Sequence, residues 1–239
     1  MLSKKIVFEK IGEVHFQKSS RAKNIILRVK PQAKIQVSVP KRTSFKTAER
    51  FVLQKTDWVL KALEKVKTFQ ENSIIFSDET IFKTYFRTLK IRKHDSSDAK
   101  LKISETTFEI FLPTNWEIKS EITQSKIRGF ITQVLRKEAK NYLPQRTLEL
   151  ATQFNFKVNR VFIKNAKTRW GSCSNKNNIN LNLNLLRLPQ SLIDYVILHE
   201  LSHTVHHNHS KNFWDLLNKV TLNQAKILDQ ELKNYRIHF

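Results

Sequence analysis

Leu192-Ile193-Asp194-Tyr195-Val196-Ile197-Leu198-His199-Glu200-Leu201-Ser202-His203 is the stretch on which the reading of this 239-residue chain turns. Leu192, Ile193, Val196 and Ile197 recur at helical spacing, so the segment is expected to be an amphipathic helix. On a helix, positions i and i+4 share one face, so His199 and His203 can reach one metal ion together. Glu200, one residue on from the first histidine, can then act on a water without itself being a ligand. Random placement of the chain's His and Glu residues gives roughly 0.015 occurrences of this HExxH pattern per chain, so chance is a poor account of it. Catalytic zinc takes three protein ligands and keeps one position open. His206, His207 and His209 are the candidates for the third. On a straight helix the Cα of His207 lies about 12 Å from that of His199, too far to share a site. A helix break at Asn208, a residue type that tolerates left-handed backbone, would bring His209 back to the metal, with Ser210 capping the next helix. His206 and His207 are then solvent-facing residues or donors behind the ligands.

Upstream, Ile179, Leu181, Leu183 and Leu185 alternate with Asn178, Asn180, Asn182 and Asn184. The alternation predicts a strand over 178–185 with one core face. Its Asn face is either a solvated sheet surface or an edge strand over a cleft, to which an extended peptide could add. Before it, the turn Arg169–Cys173 either brings Arg169 to substrate or packs Trp170 into the core, with Gly171 allowing a tight turn. Cys173 reads as a small buried hydrophobe.

Further outward, residues 24–30 and 34–39 read as strands joined by a turn at Pro31-Gln32-Ala33. A helix capped by Ser44 should run to about Leu63. Residues 74–112 look β-rich, with Ile81-Phe82 and Tyr85-Phe86 as the first of that run. Residues 119–152 look helical, 160–164 extended, and 190–207 and 211–233 helical. The order gives an α+β fold, with residues 1–115 as a β-rich basic N-terminal region and 116–239 as the domain that carries the HExxH helix.

Composition narrows the classes. A hydrophobic content of 40% with 16 Phe excludes wholesale disorder, and a single cysteine excludes a disulfide framework or a multi-cysteine zinc site. The longest apolar runs are too short to cross a membrane. Lys4 and Lys5 precede no apolar stretch of signal-peptide length, so a cytoplasmic location is expected. The formal charge is +22. It is uneven, with 12 Lys or Arg against Glu9 and Glu13 in residues 1–46. That surface either attracts a polyanion such as nucleic acid or simply keeps a lysine-rich protein soluble.

Lys167-Thr168-Arg169-Trp170-Gly171-Ser172-Cys173-Ser174, Ile179-Asn180-Leu181-Asn182, Tyr195-Val196, the HExxH, Asn208-His209-Ser210 and Phe213-Trp214 together resemble the YgjP-like metallopeptidase family, which is related to the SprT-like zinc proteases. The weaker resemblance extends from about Arg21 to Tyr235-Arg236. It implies a zincin-like metallopeptidase domain with an N-terminal β-rich extension, a Zn2+ cofactor held by His199, His203 and His209, and Glu200 as catalytic base. Arg169, Asn180 and Asn182 are the candidate substrate contacts. SprT-like relatives that cut DNA-bound proteins suggest a nucleic-acid link for the basic N-terminal half.

Three functions therefore stand side by side. The first is a zinc peptidase acting on a protein or peptide. The second is a metal-dependent phosphohydrolase or nucleotide pyrophosphatase, against which the sequence offers no Gly-rich phosphate loop and an imidazole-rich site. The third is a nucleic-acid-binding module with a structural zinc, which would have no need of Glu200.

Overall fold

Alternation of Ile35, Val37 and Val39 with Gln36 and Ser38 builds the strand at the centre of the first sheet. In the computed structural model all residues are described except 1, 31–33, 72–73 and 238; the expected turn at Pro31-Gln32-Ala33 lies outside the described residues. The chain separates into two units, Met1–Ser73 and Ile74–Phe239.

In the first unit, β1 (Ser3–Phe8), β2 (Gly12–Ser19), β3 (Ile26–Val29) and β4 (Ile35–Pro40) form a sheet in the order β1-β2-β4-β3. β2 pairs parallel with β4, and the other two pairs are antiparallel. Gly12, at φ 77°, takes the left-handed backbone that starts β2 after the turn. β3 and β4 match the expected strands. β1 and β2 were not legible, because β2 buries only Val14 and Phe16 in its short alternation. Helix α1 (Phe45–Gln54) is capped by Ser44, whose hydroxyl accepts from the Thr47 amide at 3.0 Å. The single helix expected from Ser44 is interrupted at Lys55, and α2 (Thr56–Glu71) follows. Ala48, Val52 and Val59 close the core over Val14, Phe16, Val37 and Val39.

The second unit begins with β5 (Thr88–His94), β6 (Lys100–Ile103) and β7 (Thr107–Pro113), in the order β5-β7-β6. Ile81-Phe82 and Tyr85-Phe86 precede this sheet without joining a strand; the bridge Lys83↔Thr88 is what pairs there. Ser120 caps the long helix α3 (Glu121–Gln153). Phe108, Ile110 and Leu112 of β7 share one core with Ile127, Ile131 and Leu135 of α3. Residues 74–115 therefore belong to the same compact unit as the HExxH helix, whereas the sequence grouped them with the N-terminal region.

A second small sheet has the order β8-β10-β9, from β8 (Arg160–Lys164), β9 (Gly171–Cys173) and β10 (Asn178–Asn182). β10 is thus the central strand, flanked by β8 in parallel and β9 in antiparallel register, and not an edge. The strand also stops at Asn182. Its side-chain oxygen accepts from the Asn184 amide at 3.0 Å and winds Leu183–Arg187 into a 3-10 helix. Asn184, Leu183 and Leu185 are all buried there, so the two-faced strand expected to 185 does not extend past 182. Helices α4 (Gln190–Ser202), α5 (Lys211–Val220) and α6 (Ala225–Leu232) complete the unit. The helix expected over 211–233 is split where Leu222 and Asn223 adopt positive φ.

Candidate metal centre

Helix α4 is locked before it reaches its histidines. Asp194 accepts a two-pronged ion pair from Arg146 of α3, with both N···O distances 2.8 Å. Tyr195 is buried and its hydroxyl donates to Asp229 of α6 at 3.3 Å, so it packs the helix in place. One turn later come His199 and Glu200, then His203 at the helix end.

The helix ends sooner than the sequence suggested. The amides of Thr204, Val205 and His206 donate to Leu201 and Ser202 carbonyls, making the turn at 203–205. Asn208 has no left-handed backbone. The turn still delivers the third imidazole: ligand atoms of His199, His203 and His209 all lie within 4.8 Å of one another. The Nε2 atoms of His199 and His209 are 3.1 Å apart. His203 Nδ1 lies 3.0 Å from the His206 carbonyl. A carbonyl only accepts, so Nδ1 carries the proton and Nε2 keeps its lone pair for a metal. His206 thus serves the site through its backbone, while His207 is exposed.

Phe213, which the sequence reading names only within the Phe213-Trp214 pair of the resemblance, is the floor of the cluster. Its fully buried ring stacks on His203 at 4.5 Å and meets His209 at 4.8 Å and His199 at 5.0 Å edge-on. Ser210 occupies the N-cap position of α5, but its hydroxyl makes no capping bond.

Glu200 is 6% exposed and lies against β9. A Cβ added at Gly171 would fall 2.5 Å from Glu200 Oε1 and 2.6 Å from its Cγ. The glycine is therefore required by this close approach and not by a tight turn. Burial pushes the Glu200 carboxyl up to about 8, opposed by the Arg169 charge. Burial, then the neighbouring His203 and His209, holds His199 down at about 4, and burial also lowers His203. Both imidazoles are neutral donors at pH 7 in consequence. Burial, with the nearby Glu200 charge, pushes the Cys173 thiol up to about 11, in keeping with an inert packing residue.

The three candidate substrate contacts have different surroundings. Arg169 is exposed. Asn180 is half-buried and its amide reaches the Ser172 carbonyl and hydroxyl. Asn182 is 1% exposed, and its amide hydrogens are taken up by Ala166 O at 2.8 Å and Arg169 O at 2.9 Å. Its backbone amide donates to Trp170 O at 2.8 Å. Asn182 thus fastens the 166–170 loop from below.

Three converging imidazoles can hold a borderline-soft cation such as zinc, and the buried carboxyl of Glu200 follows the first of them on the same helix. A family model described as YgjP-like, metallopeptidase domain matches residues 23–235. Among solved structures, the metallopeptidase zymogen of Pyrococcus abyssi abylysin is 23% identical, covering 41% of this chain and 99% of that one at a TM-score of 0.36. The metallopeptidase zymogen of Methanocaldococcus jannaschii jannalysin is also 23% identical, covering 38% of this chain and 94% of its own at a TM-score of 0.34. No curated protein matches the chain.

Proposed function

Because this chain belongs to the YgjP-like metallopeptidase family, we propose that it cuts peptide bonds with His199, His203 and His209 holding a zinc ion and Glu200 as general base. The observation that carries this reading is the convergence of three imidazoles with a buried carboxylate one residue along the same helix. The donor set fits zinc: it is all nitrogen, its separations are short, and among the described residues the cluster contains no carboxylate. Bound there, zinc would supply Lewis acidity toward the scissile carbonyl and lower the pKa of water.

The chain's own residues supply the rest. Glu200 Oε1, pressed toward Gly171, takes a proton from the attacking water and returns it to the leaving amine. A base raised to about 8 when metal-free holds its proton firmly, and a nearby cation would bring it back toward the range useful at neutral pH. His206 O fixes the His203 tautomer. In this reading the zincin-like catalytic domain is the unit Ile74–Phe239, with the site itself carried by residues 116–239. The basic N-terminal region is an extension that holds nucleic acid through charge, which salt-sensitive binding would test.

The decisive experiment measures metal per chain by mass spectrometry on untagged protein, together with peptide cleavage by wild type and Glu200→Gln. About one zinc per chain in both proteins is expected, with cleavage lost by at least roughly a hundredfold in the variant. Equal turnover by Glu200→Gln would overturn the assigned base. A protein that takes up no zinc would overturn the site.

A further inference from the structure

A cleft of about 330 Å³ opens beside β9, walled by Lys164, Arg169, Trp170, Gly171, Ser172 and Asn180, among others. It adjoins the proposed base directly, because Gly171 is both a wall residue and the residue that Glu200 touches. Its lining contains two cations and no carboxylate. Lys164 Nζ lies over the Phe162 ring, 5.2 Å from its centroid. Arg169 faces Glu200 only through space. Among the described residues neither cation has an ion pair. The amide hydrogens of Asn180 and Asn182 are already bonded within the protein. The cationic donors of the cleft without an ion pair are therefore the guanidinium and the ammonium. The backbone that presents Arg169 is fixed, because Asn182 binds the carbonyls of Arg169 and Trp170. A guanidinium held on a fixed backbone suits a planar carboxylate, which it can bind with two parallel hydrogen bonds.

We infer that this cleft receives a carboxylate of the peptide substrate, with Arg169 as its first contact and Lys164 as its second. The enzyme then selects peptides that carry an acidic side chain or a free C-terminal carboxyl group close to the cut bond. The inference rests on the peptidase reading and names its substrate class.

A chain of net charge +22 attracts acidic peptides over its whole surface, so the test isolates the cleft. Fluorescein-labelled peptides that differ by Glu against Gln at one position, each as free acid and as C-terminal amide, are titrated against zinc-loaded Glu200→Gln protein by anisotropy. The same peptides are given to wild type for kcat/KM. Carboxylate-bearing peptides should bind roughly tenfold more tightly than their neutral partners. Arg169→Gln should erase that preference, Arg169→Glu should turn it toward Lys peptides, and Lys164→Met should reduce it. Comparison of acid with amide, and of Glu with Gln, tells which carboxylate is used. Equal binding of Glu and Gln peptides in both the acid and amide forms overturns the inference. So does a preference that survives Arg169→Gln, since it then belongs to the general surface. If neutral and acidic peptides all remain uncut while the Arg169-dependent preference holds, the cleft stands and the peptidase assignment falls. If all are cut at one rate, the assignment stands and the cleft falls.

Discussion

On the β9 side of the histidine cluster, Glu200 is 6% exposed and abuts Gly171, and Asn182 at the end of β10 is 1% exposed with both amide hydrogens bonded. On the α5 side, His209 is exposed and precedes an N-cap serine whose hydroxyl makes no capping bond. What fixes that side is one ring: Phe213 is fully buried and lies 4.5–5.0 Å from each imidazole. The contrast separates two tasks. The group that handles the proton is positioned by backbone packing and buried hydrogen bonds, which tolerate little displacement. The third ligand is exposed and packs edge-on against the Phe213 ring, which leaves it accessible to an incoming ion.

The largest expected effect lies on the α5 side. Phe213→Ala removes the floor shared by three imidazoles and should cost about 3–5 kcal/mol in stability. It should also weaken zinc binding, because all three rings lose a common contact. Denaturant unfolding of metal-free protein reads the first, and competition with a chromophoric chelator reads the second. Unchanged zinc affinity would show that the turn, and not the ring, positions the ligands.

Gly171→Ala is the matching change on the β9 side. The new Cβ would lie 2.5 Å from Glu200 Oε1, with little room for a buried side chain to yield. Displacing a proton-transfer group by about 1 Å costs on the order of a hundredfold in kcat, and overpacking adds about 1–3 kcal/mol of destabilisation. Zinc content should not change. Wild-type kcat in this variant would mean that Glu200 acts from a position it does not occupy here. Asn182→Ala is milder: it leaves two loop carbonyls and the Asn184 amide without partners, for about 1–3 kcal/mol. Proteolysis should then nick the chain between 165 and 170, and an unaltered cleavage pattern would deny the clamp.

The two sides also differ in how far they were legible. His199, Glu200 and His203 follow from spacing on one helix, and His209 from the need to turn back. The place of that turn was not legible, because the amides of 204–206 close on Leu201 and Ser202 through backbone bonds that carry no side-chain signal. The Asn-Leu alternation is identical on both sides of Asn182. What ends the strand is a bond between Asn182 and the Asn184 amide, which periodicity cannot register. β9, three residues long, is too short to show a period at all. Gly171 announced itself as a glycine, but its reason is a side chain 29 positions away. Phe213 stood in the sequence only as part of the Phe213-Trp214 pair of the family resemblance, since its contact with three imidazoles depends on where the preceding turn sends the chain.

The smallest effect sharpens the comparison most directly, through the helix caps. The Ser120 hydroxyl accepts from the Thr123 amide at 3.3 Å, and the Ser44 hydroxyl accepts from the Thr47 amide at 3.0 Å. Ser210 holds the same position at α5, but its hydroxyl makes no capping bond. Replacing a working cap by alanine costs about 1 kcal/mol, whereas an exposed serine without a bond costs a few tenths at most. Ser120→Ala and Ser44→Ala should therefore each lower the unfolding midpoint measurably, while Ser210→Ala in metal-free protein should not. A full capping loss at Ser210 would mean that the hydroxyl does turn inward to hold α5, and that the His209 side is fixed by its backbone as firmly as the side that holds Glu200.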